Sequence, residues 1–266
     1  MARLHLIEIH EQSWCPASLR EGLRDGLFTA WKLFFWRNTL PHLRDLLAHS
    51  EVPRIVDLCS GSGGPVPLVT HALAEDHPTL SVTLTDLFPA EEWNNPLGDD
   101  PRIGYAPEPV DATAVPKGLG GCRTLFEAFH HFRPDDAVGI LSDAVRARQP
   151  IAVFEFQRRS IKPLLQYPLN VLSSVGFLHL FHTPFRWKKL LFTVVPAIPL
   201  LLTFDGFVSI LRTYTTEELA ELARRAGCED YRWEVRQSRD LGRGLMTCLI
   251  GWPDEEGGVH VVDYPR

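Results

Sequence analysis

Residues Ile55 to Gly64 read Ile-Val-Asp-Leu-Cys-Ser-Gly-Ser-Gly-Gly. A short β-branched run ends in an acid and gives way to a glycine-rich turn. Pro65 and Pro67 follow, ahead of an apolar helix pattern. Glycine lets backbone approach a ligand where a Cβ would collide. The helix start behind the turn offers unpaired N–H groups and a partial positive charge. Strand, turn and helix in this order therefore predict binding of a nucleotide-like cofactor.

Spacing narrows the choice. A dinucleotide fingerprint needs G-x-G-x-x-G. Gly61 and Gly63 supply the first two places, but the third falls on Val66. A phosphate loop needs a Lys after its glycines, and none follows. The stretch instead resembles motif I of the class I S-adenosylmethionine-dependent methyltransferases, whose usual form is Asp-x-Gly-x-Gly-x-Gly. Asp57, Gly61 and Gly63 match it; Cys59 stands where the first glycine is expected, so the turn there must accept a small side chain.

Three further segments carry the resemblance through residues 51–156. Ser81–Asp86 reads as a strand ending in an acid, a position that accepts hydrogen bonds from ribose hydroxyls in doubly wound sheets. Val110-Asp111-Ala112 is similar to the methyltransferase segment that contacts adenine. Leu125–Phe132 reads as the fourth strand, with Arg133-Pro134-Asp135-Asp136 opening a helix. The resemblance implies an α/β fold: a Rossmann-like, mostly parallel seven-stranded sheet with helices on both faces. It implies S-adenosyl-L-methionine held by Asp57, Cys59, Gly61, Gly63, Asp86, Leu87, Asp111, Ala112 and Glu127.

The rest of the chain is read around that core. Leu19, Leu23, Leu27 and Trp31 recur every four residues and predict a helix. Gly22 and Gly26 weaken it, so its stability must come from packing. Asn38–Pro41 predicts a break before a second short helix, and residues 1–50 are expected to form an N-terminal helical cap. Residues 51–156 are the cofactor-binding core. After the fifth strand, Ile151–Phe156, the strand–helix alternation stops, and 157–210 is expected as an apolar insertion or lid. Residues 211–266 supply a helix, opened by the capping box Thr215–Glu218, and the last two strands, an antiparallel pair. Beyond Trp252 a loose tail is expected.

Composition sets outer limits. The chain has 266 residues, 45% of them apolar, and a net charge of −6. Nothing there is the basic footprint of a nucleic-acid binder. Five scattered cysteines show no metal spacing, so no metal is expected, and an odd count favours a reducing compartment. The N-terminus lacks a signal-peptide core, and a cytoplasmic protein is expected, as monomer or homodimer. Leu190–Phe204 is nearly all apolar, but as helix it would span only about 22 Å against a hydrocarbon core of about 30 Å. Pro196 and Pro199 break its pattern. A transmembrane span is not expected; peripheral contact with a membrane stays open.

Ligands of open α/β sheets sit at the carboxyl ends of the strands. His130, His131 and Glu155 fall there and are the candidate catalytic residues, since histidine titrates near neutrality. In an extended chain the two histidines would point to opposite faces. Trp14, Asp205, Arg212 and Tyr214 are the candidate substrate contacts; an Asp205–Arg212 ion pair is the plainer expectation. The leading function is methyl transfer to a small, largely apolar acceptor, as in natural-product or secondary metabolism. The alternatives are a cofactor-binding protein of this fold running another reaction, or an interaction module using the apolar insertion.

Overall fold

A computed structural model describes the chain except for residues 90–92, 94, 96, 174, 241–243 and 264–266, and gives only the backbone of 173, 238–240, 244–245 and 263. The chain divides into two compact units. One joins Met1–Phe34 to Gln157–Tyr214; the other joins Phe35–Phe156 to Thr215–Arg266.

The second unit is built on one sheet. Its strands are β1 (Arg54–Asp57), β2 (Ser81–Leu84), β3 (Ile103–Tyr105), β4 (Cys122–Phe126), β5 (Ile151–Glu155), β6 (Tyr231–Asp240), β7 (Gly244–Pro253) and β8 (Gly258–Asp263). They lie in the order β3-β2-β1-β4-β5-β7-β6-β8. The first five are parallel, β7 runs antiparallel to β5 and β6, and β8 is parallel to β6. This is the expected Rossmann-like α/β class, with eight strands rather than seven. Gly258–Asp263 pairs along β6 from Arg232 to Gln237, so the segment expected to be a loose tail forms an edge strand. Of its valines, Val259 and Val262 are half-buried and Val261 is exposed, as on a strand paired along one side only.

Four helices accompany the sheet: α2 (Trp36–Ala48), α3 (Val66–Leu73), α4 (Pro134–Ala147) and α9 (Thr216–Ala226). α2 packs with α3, and α4 with α9. The capping box is formed: Thr215 Oγ1 accepts from Glu218 N–H and Glu218 accepts from Thr215 N–H. The break expected at Asn38–Pro41 is absent, and α2 runs through Pro41. The irregularity lies upstream, in a π-helical turn at Trp31–Phe35.

The first unit is helical: α1 (Ala17–Ala30), α5 (Ile161–Ser173), α6 (Val175–His182), α7 (Trp187–Val194) and α8 (Ala197–Arg212). Leu23, Val171, Ile198, Leu201 and Leu202 form its core. Gly22 and Gly26 explain themselves there. A Cβ on Gly22 would sit 2.3 Å from Ile198 Cδ1, and one on Gly26 2.7 Å from Leu202 Cδ1. The glycines cost helix propensity and return close packing of α1 on α8. Pro196 marks the break between α7 and α8, while Pro199 lies in the first turn of α8, where its missing N–H has no intrahelical partner to lose.

Candidate functional site

Strands β1 and β5 end in Asp57 and Glu155, and Asp86 and Glu127 follow the ends of β2 and β4; these strand ends carry the expected site. β1 lies between β2 and β4, the point where strand order reverses. Asp57 closes β1 and is buried. Its Oδ1 accepts from Thr124 Oγ1 at 2.7 Å. Its carbonyl accepts from Ser60 Oγ, Thr85 Oγ1 and Thr85 N–H, each at 2.8 Å. Burial pushes the Asp57 carboxyl up to about 7, against the pull of its hydrogen bonds, and the nearby Asp86 charge pushes the same way.

Past Asp57 the backbone turns left-handed. Cys59 has φ +57°, Gly61 +52°, Gly63 +90° and Gly64 +43°. The turn thus accepts a small side chain at the position of the missing glycine, in a region that costs a non-glycine residue roughly 1–2 kcal/mol. Burial, with the charges of Asp86, Asp57 and Asp111, pushes the Cys59 thiol far up, so it stays protonated and inert. A Cβ added at Gly61 or Gly64 would meet nothing within 4 Å, whereas one at Gly63 would come within 3.0 Å of Trp93 Nε1. The loop therefore has an open side at Gly61 and a walled side at Gly63.

Asp86 follows β2 and grips this loop. Its Oδ2 accepts from Gly61 N–H at 2.8 Å and its Oδ1 from Phe88 N–H at 2.9 Å. Its carbonyl accepts from Val110 N–H at 2.9 Å, which draws the Asp111 segment to the same edge. Asp111 caps its own turn through Thr113 N–H and Oγ1, at 2.8 and 2.7 Å, and stays exposed; Ala112 is buried and Leu87 exposed. Two residues here are absent from the sequence-based candidates. Tyr105, at the end of β3, donates its hydroxyl to Gly61 O at 3.1 Å, and Trp93 donates its indole N–H to Ser62 O at 3.1 Å. The one available signal is Ile103-Gly104-Tyr105, a short β-prone run between two matched segments.

The histidines are not on a strand. β4 ends at Phe126, Glu127 takes φ +51°, and Phe129–His131 form a single 3-10 turn. The expectation of an extended chain with histidines on opposite faces is corrected. The two rings lie together, centroids 4.2 Å apart. The left-handed Glu127 ends the strand early, and its carboxylate accepts from Phe156 N–H. Glu155, the last residue of β5, accepts from His130 N–H at 3.1 Å and from His130 Nδ1–H at 2.8 Å. Both side chains are buried. Both Glu155 oxygens are thus taken up by His130, and Arg159 donates to Thr213 O at 2.9 Å. A histidine held this way has its lone pair on Nε2, the arrangement of a general base with its orienting acid.

The remaining candidates belong to the helical unit. Asp205 and Arg212 do not pair with each other. Asp205 accepts from Ile9 N–H at 2.7 Å, His10 N–H at 3.0 Å and His10 Nδ1–H at 2.9 Å. Arg212 reaches Glu11 at 2.7 Å and Glu8 at 3.3 Å. Two charged residues of α8 thus hold the N-terminal strap, whose backbone N–H groups and acids satisfy both charges better than a direct pair would. Tyr214 is buried beneath the Arg3 guanidinium, 4.1 Å from its ring centroid, and Trp14 is 68% exposed.

No protein-family model and no curated protein matches the chain. Among solved structures it is similar to human N-acetylserotonin methyltransferase in complex with SAM, at 13% identity and a TM-score of 0.47, over 89% of this chain and 56% of that one. It is also similar to LepI in complex with SAM, at 17% and 0.44, over 80% and 46%. The pyocyanin biosynthetic protein PhzM follows at 15% and 0.40, over 80% and 55%. The chain spans about half the length of these three proteins. With TM-scores below 0.5, these likenesses carry no argument about activity, which rests on the residues themselves.

Proposed function

We propose that the sheet unit binds S-adenosyl-L-methionine at its strand ends and transfers the methyl group to a small, largely apolar acceptor. The observation that carries this reading is the grip of Asp86 on Gly61 N–H, beside a left-handed loop open at Gly61 and Gly64. An adenosyl ligand fits such a place: the loop backbone can approach it closely, and Asp86 retains lone pairs for ribose hydroxyls. Asp111 and Ala112 stand on the same edge for the adenine, with Leu87 and Glu127 as flanking contacts. Asp57 and Cys59 shape the loop from below.

Bound there, the cofactor supplies an electrophilic methyl on a sulfonium. The chain's own work is orientation and proton removal. Alignment of acceptor and methyl alone accounts for much of the rate in such a displacement. His130 takes the acceptor proton, Glu155 fixes its tautomer and steadies the resulting positive charge, and His131 packs on the ring. All five cysteines are free, which favours a reducing, cytoplasmic setting.

The test is a survey of small apolar acceptors bearing one hydroxyl, amine or thiol, with methyl-labelled cofactor, reading label in product and release of the demethylated cofactor. Transfer that disappears in Asp86→Ala supports the proposal. Label transfer unaffected by Asp86→Ala would move the site elsewhere.

A further inference from the structure

Helices α6 and α7 bury polar side chains and expose apolar ones, and α5 is apolar on its outer as well as its inner face. On α7, Lys189 and Thr193 are buried, one turn apart, while Trp187, Leu190, Leu191 and Val194 are exposed at i, i+3, i+4 and i+7. Lys189 Nζ is satisfied inside by Thr183 Oγ1 and Pro184 O, both at 2.6 Å, and lies 3.2 Å from Asp25. On α6, His179 is buried against Thr193 Oγ1 at 3.1 Å, while Phe177 and Phe181 face out. On α5, Ile161, Leu165, Leu169 and Leu172 form an exposed stripe opposite Tyr167 and Val171, which face the unit's core. Exposure is high: 75% at Leu165, 81% at Phe181 and 70% at Val194. A water-facing helix shows the reverse pattern, and apolar surface of this extent marks an interaction site.

Charge says what it meets. From Gln157 to Phe204 the sequence holds six Lys or Arg and no Asp or Glu, in a chain whose net charge is −6. Arg158, Lys162, Arg186 and Lys188 are exposed among the apolar stripes, and Trp187 carries the Lys188 ammonium 5.9 Å from its ring centroid. Arg186 is held by Glu21 and Asp25 of α1, at 2.9 and 2.7 Å, which leaves Arg158, Lys162 and Lys188 as the cations beside the apolar and aromatic side chains, a combination that matches an anionic lipid surface. Among the described residues no single helix is long and apolar enough to cross a bilayer. Two helix pairs, Ile161–Leu172 with Val175–His182 and Trp187–Val194 with Ala197–Arg212, reach that length and hydropathy only together, and bends of 43° and 72° part their axes.

We infer that the outer face of α5–α7 docks onto an anionic membrane surface, lying in the interface without spanning it. Arg158, Lys162 and Lys188 reach lipid phosphates while Leu165, Phe181, Trp187 and Leu191 enter the acyl boundary. A second copy of the chain is the competing occupant. It would have to place the same cations against themselves across a two-fold interface, which disfavours it.

The test is flotation of the full chain with vesicles of phosphatidylcholine alone and of phosphatidylcholine with phosphatidylglycerol, alongside light scattering without lipid. The expected result is flotation with the anionic vesicles, weakened by salt. Lys162→Gln with Lys188→Gln should weaken it about thirtyfold, the effect of two cations near an anionic surface. Leu165→Ser with Leu191→Ser should abolish it at an unchanged melting temperature, and Phe181→Ser, on a different helix, should weaken it independently. Failure to float with either vesicle overturns the inference. So does a stable dimer in solution that the same serine variants dissociate, and so does equal binding to both vesicles that ignores the lysine variants.

Discussion

Glu155 receives both the backbone N–H and the Nδ1–H of His130, at 3.1 and 2.8 Å, inside a buried pair that joins the end of β5 to the 3-10 turn Phe129–His131. One carboxylate thereby sets the position and the tautomer of one imidazole. If His130 is the base, His130→Ala should lower kcat about a hundredfold or more, within the range for a positioned proton acceptor, with little change in KM. Glu155→Gln should lower kcat in the same direction and move the pH profile of kcat, because an amide cannot stabilise the imidazolium. His131→Ala should do less. A flat pH profile and unchanged kcat in Glu155→Gln would reduce the dyad to a structural contact. Steady-state kinetics across pH on the three variants decides it.

Both oxygens of Asp86 already accept backbone N–H groups, from Gly61 and Phe88. Asp86→Asn therefore sets a donor against a donor, and it should weaken cofactor binding nearly as much as Asp86→Ala. The expected loss is about 2–3 kcal/mol, some thirty- to a hundredfold or more in Kd. Titration of both variants by fluorescence or calorimetry checks this. An Asn variant that binds like wild type would mean the grip on Gly61 is dispensable.

Cys59 sits at φ +57° where the matched motif carries glycine. Cys59→Gly should raise stability by about 1 kcal/mol, the strain of a left-handed non-glycine residue less the entropy cost of glycine. Thermal melting reads it. A lower melting temperature would show that packing of the buried sulfur outweighs the strain.

Two buried groups of the sheet unit titrate in opposite senses. Asp57 is pushed up to about 7, so its contribution to stability is complete below about 4 and is lost as pH rises through 7. His42 is pushed down to about 4, first by burial and then by the Arg236 charge, so its contribution is complete above 6.5 and is lost as pH falls through 4. Their slopes oppose each other between those limits. Asp57→Asn removes one of them. Relative to wild type, it should gain roughly 4 kcal/mol between pH 4 and pH 8, at about 1.36 kcal/mol for each tenfold change in the carboxyl's ionisation constant. Denaturant unfolding at the two pH values measures the gain; an equal stability difference at both would leave Asp57 with an ordinary carboxyl.

Much of the sheet is legible in the sequence because parallel strands buried on both faces read as short apolar runs bounded by turns. Ile55–Asp57 and Ile151–Glu155 are of this kind, while Ser81–Leu84 alternates buried Val82 and Leu84 with half-buried Ser81 and Thr83. β3, of three residues, and β8 are the edge strands, and the glycines and acids around them nearly hide their patterns. The histidine turn reads as strand because Leu125–Phe132 is largely apolar and aromatic; the left-handed Glu127 that ends β4 leaves no pattern in one sequence. Pairings between distant residues are also silent in sequence. Asp205 and Arg212, seven residues apart on one helix, suggest an ion pair. Their partners Ile9, His10, Glu8 and Glu11 lie some two hundred residues away.

The proposed function stands on an adenosyl ligand held by the open loop at Gly61 and the acid that grips it. Calorimetric titration of the whole chain with S-adenosylmethionine, with its demethylated product and with NAD tests it most directly. One site for each adenosyl ligand is expected, with competition between the two and little affinity for NAD, since Val66 replaces the third glycine of the dinucleotide turn. Binding of NAD with no binding of either adenosyl ligand would contradict it.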